Sequence, residues 1–314
     1  MRPHLSPGLA LVTTGLVMAA GVYLSAVFDE VVAGVVARRG SRIVRAALAP
    51  LRRAAQLLLQ DRSVTERPDA EAWVLAPALL TALAAVGMAV VPLAPQVAVA
   101  DVSGGIVLFG AAMALVMVAV FLQGWSANSV LPLVGGYRFV AQALSYEMLH
   151  MLVLIAVALP ARSLGMGEIV ESQEHLWNVL RQPLGFPIYL VAAAGLAFWG
   201  PLRLPDAEDL AGGTAAELSG AALLLWRVAQ RAMLVAVSAM GAAAFLGGWQ
   251  GPVLPGAAWV ALKTLGILGA LVAARHLLAR VPVERFMFVC WVVLIPLALV
   301  DVFQAGVQAL WAAP

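Results

Sequence analysis

Long apolar stretches recur along the whole chain and constrain its fold more than any other feature. Eight of them approach the roughly twenty residues that an α-helix needs to cross the hydrocarbon core of a bilayer. They cover residues 8–28, 73–93, 104–123, 139–160, 185–200, 221–246, 257–278 and 286–310. Only 11% of the residues are charged, against about a quarter in soluble domains. The pattern predicts an all-α integral membrane protein, one membrane domain over residues 1–314 without a soluble domain.

Signatures of catalysis and of cofactor binding are scarce. The single cysteine, Cys290, excludes an internal disulfide and a cysteine-ligated cluster. The sequence contains no convincing nucleotide-binding glycine loop, Cys/His metal spacing or nucleophile elbow. We therefore expect no metal site, no covalently bound cofactor and no redox centre in this chain.

Arginines between the first two stretches predict the orientation of the protein. Eight lie there: Arg38, Arg39, Arg42, Arg45, Arg52, Arg53, Arg62 and Arg67. The positive-inside rule places this loop in the cytoplasm. An even number of spans then puts both termini on the outer, periplasmic side of a bacterial-type inner membrane. The short fifth stretch, 185–200, indicates either a bent or tilted helix or ends that sequence alone misplaces.

Residues 41–60, within the first inward loop, have the pattern of an amphipathic helix. Apolar residues recur there at helical spacing: Ile43, Val44, Ala47, Leu48, Leu51, Ala55, Leu58 and Leu59. The arginines tend to fall between them, which is typical of a helix that lies in the membrane interface. The alternative is a charged tether that only orients the protein.

Glu147 lies in a stretch that is otherwise apolar enough to cross a bilayer. A charged side chain at the centre of a membrane helix costs roughly 2.5–3.5 kcal/mol on insertion scales, so its default interpretation is functional. The alternative is an ordinary buried carboxylate with a partner. His150 follows three residues later on the same helix face and is either a proton relay or a hydrogen-bonded structural histidine.

The inward loop 200–220 is rich in carboxylates, namely Asp206, Glu208, Asp209 and Glu217. Neighbouring carboxylates raise one another's pKa, because like charges disfavour double ionisation. Such a loop could hold and pass protons near neutral pH. The alternative is a solvated acidic loop with no chemical role.

Several isolated charges each have two interpretations. Lys263, the only lysine, either pairs with a carboxylate inside the membrane or reaches to the outer interface. Arg227 and Arg231, four residues apart, either neutralise the acidic loop or anchor to headgroups. Asp101 and Asp301 lie near the outer side, where we expect them to be exposed at the interface.

Three strings in the middle of the chain resemble one family. They are Gly124-Trp125-Ser126-Ala127-Asn128-Ser129, Gly135-Gly136-Tyr137-Arg138 and Ser145-Tyr146-Glu147. They are similar to the H subunit (subunit 1) of respiratory complex I and to related energy-converting hydrogenases. There, a GW-S-NS loop leads through a GG-R turn into a membrane helix that opens with SYE. The loop strings Leu204-Pro205-Asp206-Ala207-Glu208 and Glu217-Leu218-Ser219-Gly220 match the same family.

The chain also departs from the family pattern. The glutamate, asparagine and arginine of the family's AETNR string fall on Leu196, Phe198 and Trp199, and the aspartate of its PFD string becomes Arg203. The family's GPNR signature is reduced to Arg38-Arg39-Gly40-Ser41-Arg42. The resemblance therefore implies a divergent member that has lost polar groups around the quinone cavity.

The resemblance assigns three groups of residues. It implies a proton path through Glu147, Asp206, Glu208, Asp209, Glu217 and Lys263. It implies a quinone cavity lined by Arg38, Arg42, Trp199, Arg203, Arg227 and Arg231. It implies subunit docking, against a neighbouring soluble subunit, by Arg275, Arg280 and Glu284.

The function implied is that of a membrane subunit in a proton-translocating NADH-quinone oxidoreductase. It would link a peripheral electron-transfer arm to antiporter-like pumping subunits and small membrane subunits. Quinone would bind at the interface with a peripheral subunit, iron–sulfur clusters would belong to partner subunits, and no nucleic acid is expected. One alternative is the equivalent subunit of a group 4 membrane-bound hydrogenase or formate hydrogenlyase, which needs no quinone. A structural anchor and an independent transporter are the others.

Overall fold

The computed structural model describes residues 7–38, 43–61, 63–95, 99–100 and 102–311, and its regular elements are helices. The α-helices are α1 (Pro7–Val36), α2 (Ile43–Leu59), α3 (Ala70–Val90), α4 (Gly105–Ala114), α5 (Val116–Ser126), α6 (Val130–Ala161), α7 (Met166–Glu171), α8 (Asn178–Arg181), α9 (Gly185–Leu196), α10 (Gly220–Phe245), α11 (Gly256–Leu277), α12 (Val283–Val289) and α13 (Ile295–Trp311). Two short 3₁₀ turns (Gly200–Leu202 and Leu204–Asp206) and one π-helical turn (Cys290–Leu294) complete them.

Eight helical segments among the described residues are long and apolar enough to cross a membrane, which confirms the predicted all-α membrane class. In chain order they are Leu11–Val36, Ala70–Val90, Gly105–Ser126, Val130–Ala161, Gly185–Leu202, Gly220–Phe245, Gly256–Leu277 and Val283–Trp311. The third span joins α4 to α5, and the eighth joins α12 to α13 through the π-helical turn. The chain is therefore a multi-pass membrane protein.

Connections between the spans gather at two opposite ends of the bundle. One end holds residues 203–219. There the start of the second span meets the end of the third, where the Asp69 amide donates to the Ser126 carbonyl at 2.9 Å. At the other end, the Ile106 amide donates to the Leu164 carbonyl at 3.1 Å. We call these two ends the loop side and the far side.

Helix α10 forms the centre of the bundle, with nearly every residue buried from Ala229 to Phe245, and it packs against α1, α3, α9 and α11. Small residues allow this close packing. A Cβ atom added at Gly241 of α10 would lie 2.7 Å from the Tyr189 ring of α9. Such contacts leave no room for a larger residue.

The fourth span differs from the prediction. The sequence predicts a GG-R turn at Gly135-Gly136 before a helix at 139–160, but α6 already begins at Val130 and includes both glycines. The turn prediction is wrong because these glycines serve packing. A Cβ atom at Gly124 of α5 would lie 3.1 Å from the Gly136 backbone, so glycine lets the two helices approach.

Helix α2 occupies most of the predicted stretch 41–60, whose first two residues lie outside the described part. It packs against α1 and α10, and the Tyr23 hydroxyl donates to the Ala47 carbonyl at 2.7 Å. Exposed apolar side chains remain on it, namely Val44, Leu48, Leu51, Leu58 and Leu59. This uncovered apolar face suits lipid, and its placement in the membrane interface stays a prediction.

The short fifth apolar stretch corresponds to an interrupted helix. Helix α9 ends at Leu196, and Phe198 (φ 37°) and Gly200 (φ 63°) then turn the chain into the first 3₁₀ turn. A phenylalanine with positive φ is strained, and such strain persists only where the surroundings hold it. Phe198 is fully buried, and this turn starts the candidate site.

Candidate functional site

Asp206 is the buried centre of the acidic loop. Its carboxylate accepts hydrogen bonds from the Trp226 indole at 2.7 Å, from the Thr214 hydroxyl at 3.1 Å and from Arg227 at 2.6 Å. Only 5% of Asp206 is exposed. The solvated-loop interpretation is therefore wrong for this residue, because the loop folds back onto α10 and encloses it.

Each of the other loop carboxylates also has a partner, and Glu208 shares its partner with Asp206. Arg227 also contacts Glu208, Arg280 contacts Asp209 at 3.0 Å, and the Ser129 hydroxyl contacts Glu217 at 3.1 Å. The hydrogen bond from Arg280 holds the pKa of Asp209 below its ordinary value. The expectation of mutually raised pKa values is wrong for Asp209, since an arginine lies nearer than another carboxylate does.

A second charged group lies deeper, where α1, α10 and α11 meet. The Asp29 carboxylate contacts Arg231 at 2.8 Å, Arg275 at 3.1 Å and the His276 imidazole at 2.7 Å. Arg231 thus pairs with α1 and not with the acidic loop, whereas Arg227 does pair with the loop.

The sequence patterns did not single out Asp29 or His276. Asp29 comes one residue after the predicted end of the first stretch, so it resembled a loop residue, although α1 continues to Val36. Extending the first predicted span to Val36 would have placed Asp29 inside a membrane helix, and an acidic residue there is a candidate functional residue.

Aromatic rings occupy the positions where the family carries polar groups. The Trp199 ring centroid lies 5.1 Å from the Arg231 guanidinium and 4.7 Å from that of Arg275, distances suited to cation–π contacts. Phe198 stacks on Trp226, with ring centroids 5.6 Å apart. Trp199 therefore holds two of the arginines that bind Asp29.

A cavity of about 240 Å³ lies among these groups and is large enough for several waters. Eight residues predicted for the site line it: Trp199, Arg203, Asp206, Glu208, Asp209, Arg227, Arg275 and Arg280. Burial, together with the charges of Arg275 and Arg280, lowers the pKa of Arg203. The structure thus brings residues from all three predicted groups to one charged cavity on the loop side.

Other predicted residues lie elsewhere. Arg38 is exposed beyond the end of α1, Arg42 lies outside the described residues, and Glu284 is exposed on α12. Arg231 binds Asp29 beside the cavity and does not line the cavity itself.

Glu147 lies half-buried in the middle of α6, and its enclosed Oε1 has no hydrogen-bond partner in the described part of the chain. The same holds for the Ser145 hydroxyl, both ring nitrogens of His150 and the side-chain oxygen of Gln142. Among the described residues, Glu147 therefore has no paired cation, and His150 is not hydrogen-bonded through either ring nitrogen. Helix α6 therefore carries a row of buried polar atoms that have no partner in the described part of the protein.

Lys263 has no carboxylate partner among the described residues, and its reach to the outer interface stays a prediction. It is buried near the far side, where its ammonium group donates to the carbonyls of Gly248 at 3.0 Å and Gln250 at 2.7 Å. It also lies 4.3 Å from the Trp177 ring centroid. Backbone carbonyls and an aromatic ring thus take the place of the predicted carboxylate.

The expected exposure of Asp301 is also wrong. Asp301 is fully buried against the start of α9, where a Cβ atom at Gly185 would come within 2.5 Å of its Oδ2. Helix α13 turns this side chain inward, a rotation that hydropathy does not encode. Asp101 lies outside the described residues.

The fold and the site define a class of protein, a multi-pass helical membrane protein with a charged cavity at one end. A family model described as NADH dehydrogenase matches residues 8–306, and the chain belongs to this family. It is 33% identical over 274 residues to the NADH-quinone oxidoreductase H subunit of Syntrophotalea carbinolica, covering 84% of this chain and 83% of that protein. The second of the NADH-quinone oxidoreductase H subunits of Syntrophobacter fumaroxidans matches to the same extent. The resemblance seen in the sequence strings is confirmed.

Proposed function

We propose that this chain is the membrane subunit of an NADH-quinone oxidoreductase complex, in which it couples electron transfer in peripheral subunits to proton translocation. Family membership over nearly the whole chain supports the place in such a complex. Both named relatives are quinone oxidoreductase subunits, so the hydrogenase alternative is not favoured. The observation that carries the coupling role is the charged cavity, where eight predicted site residues meet.

Arg227 is the group most able to respond to a charge change at the cavity. It binds both the buried carboxylate of Asp206 and the exposed carboxylate of Glu208. If Glu208 were protonated, Arg227 would keep Asp206 as its only charged partner. A negative charge that arrives at the cavity would attract Arg203 and Arg280. In a low-dielectric site such shifts are strongly coupled. Redox events at the mouth can therefore change which carboxylate holds a proton.

Quinone, as the substrate, would bind at the cavity mouth against a peripheral subunit. The donors of Arg203 and Arg227 suit quinone oxygens, and the Trp199 ring suits a quinone ring. A cavity of about 240 Å³ lies below the 300–1,000 Å³ of ordinary ligand pockets, so a partner surface must complete the site. Iron–sulfur clusters that deliver the electrons belong to partner subunits in this proposal.

The proton path continues from the cavity into α6. The Gln142 amide donates to the Leu202 carbonyl at the cavity end of the fifth span, at 3.2 Å. Ser145, Glu147 and His150 follow along the same helix with unpartnered polar atoms. Waters that join these atoms would carry protons to the centre of the bundle. Glu217 belongs to the loop end of this path, and Lys263 is included on the family resemblance alone.

The loop side faces the cytoplasm in this proposal, in a bacterial-type inner membrane with both termini on the periplasmic side. Arginines of the first inward loop support this orientation. Peripheral subunits would dock there through Arg275, Arg280 and Glu284, and antiporter-like and small membrane subunits would flank the bundle.

The test is to purify the intact complex through a tag on this chain, reconstitute it in vesicles and supply quinone with candidate electron donors. Wild type should reduce quinone and build a proton gradient, and Glu147→Gln should abolish the gradient. Glu174→Gln, an exposed residue on the far side, is the matched control and should leave both activities intact. Hydrogen evolution without quinone reduction would support the hydrogenase alternative. Absence of any redox partner would overturn the proposal.

A further inference from the structure

An apolar crevice separate from the charged cavity opens between α9, α11 and α12. Its volume is about 750 Å³. Its walls include Leu190 and Ala194 of α9, Ala270 and Ala274 of α11, and Phe286 of α12. These residues belong to the half of each helix that lies nearer the loop side. The crevice therefore lies at the depth of one membrane leaflet.

Two arginines line the crevice, and no carboxylate does. Arg280 precedes α12, and Arg285 lies in its first turn. Arg285 is exposed and has no ion-pair partner among the described residues, whereas Arg280 shares its charge with Asp209. An apolar crevice with uncompensated positive charge at its membrane-surface end is complementary to a lipid with a negative headgroup.

We propose that this crevice binds one anionic phospholipid. An acyl chain fills the space between α9 and α11, and the phosphate accepts hydrogen bonds from Arg285 and Arg280. The volume falls in the range of ordinary ligand pockets, about 300–1,000 Å³. A partner helix fits less well, because ten helical residues about 15 Å long and 10 Å across occupy roughly 1,200 Å³. A quinone has no anionic group to use the arginines.

The site has a consequence for the acidic loop. Arg280 lines both the crevice and the charged cavity, where it contacts Asp209 at 3.0 Å. A bound phosphate competes with Asp209 for this guanidinium. The lipid in the crevice is thus in electrostatic contact with the loop that carries Asp206 and Glu208.

The experiment isolates the intact complex in mild detergent and quantifies its retained phospholipids and quinone by mass spectrometry. Arg285→Gln removes the free charge, and Ala270→Phe fills the crevice. The matched controls are Arg67→Gln, an exposed loop-side arginine outside the crevice, and Ala261→Phe, an exposed position on the same helix outside it. Wild type and both controls should retain one more anionic phospholipid per complex than either variant.

Equal retention of anionic phospholipid in all five proteins would overturn the proposal. Loss of quinone from Ala270→Phe without loss of phospholipid would identify the occupant as quinone, and loss of a partner subunit would identify a protein. If Ala270→Phe does not assemble, Arg285→Gln decides the question, because it changes an exposed side chain only.

Discussion

The loop side of the bundle and the middle of α6 handle buried polar groups in opposite ways. On the loop side, Asp29 and Asp206 each have three hydrogen-bond partners at 2.6–3.1 Å. In α6, Glu147 and His150 have enclosed atoms without any partner in the described structure. A fully satisfied charge stabilises one arrangement, whereas an unsatisfied one changes readily with hydration and protonation. The carboxylates of Asp29 and Asp206 are therefore held in one geometry, whereas Glu147 and His150 have no such restraint among the described residues.

Removal of the Asp29 carboxylate should have the largest effect on stability. Asp29→Asn leaves Arg231 and Arg275 without their counter-charge inside the bundle, and breaking a buried pair costs about 3–5 kcal/mol. We expect a large drop in the melting temperature of the purified complex and a lower yield. A melting temperature equal to that of wild type would show that the ion pairs of Asp29 with Arg231 and Arg275 do not stabilise the bundle.

Within the same region, loss of a neutral donor should cost less. Trp226→Phe leaves an aromatic ring, although a smaller one, to stack on Phe198 and removes the indole donor 2.7 Å from Asp206. Thr214 and Arg227 still donate to Asp206, so the loss is that of one hydrogen bond to a charged group, about 1.5–3 kcal/mol. Thermal denaturation should place this variant between wild type and Asp29→Asn. An effect as large as that of Asp29→Asn would mean that the ring packing, and not the hydrogen bond, is being tested.

At the exposed edge of the loop, the Asp209–Arg280 pair should show only a pH-dependent effect. Arg280 lowers the pKa of Asp209 below its ordinary 3.8. The folded-state pKa lies under the unfolded value, so the stabilisation is present above that value and is lost as the pH falls through the folded one. Wild type and Asp209→Asn should therefore differ slightly at neutral pH and converge in acid. Stability curves measured against pH check this, and a difference that grows in acid would contradict it.

The smallest effect on stability should come from the second region. Glu147→Gln replaces a carboxylate that has an unpartnered oxygen with a neutral group of the same shape, so no ion pair is lost. We expect a melting temperature at or slightly above that of wild type, even where proton translocation is abolished. A drop comparable to Asp29→Asn would show that Glu147 has a structural partner in the assembled complex, and the contrast between the two regions would fail.

More of the fold than of the candidate site could be predicted from the sequence. Apolar stretches located all eight spans because hydropathy accumulates along the chain and needs no knowledge of neighbours. The strings around Ser145-Tyr146-Glu147 pointed to the family, which the comparisons confirmed. The start of α6 was missed because its two glycines, which sequence favours as a turn, are used for packing. Gly136 packs against α5, and Gly135 packs against Gly213 and Thr214 of the acidic loop.

The sequence by itself determined the membrane class, the eight apolar spans found among the described residues, and the family. Only the tertiary structure decided which charges meet. Asp29 and Arg231 lie 202 residues apart in sequence, and their contact depends on how α1 and α10 are rotated about their axes. The same holds for the burial of Asp301 and for the carbonyls around Lys263. Partition into a membrane is a sum over neighbouring residues, whereas an ion pair requires two side chains from distant segments to point at the same place.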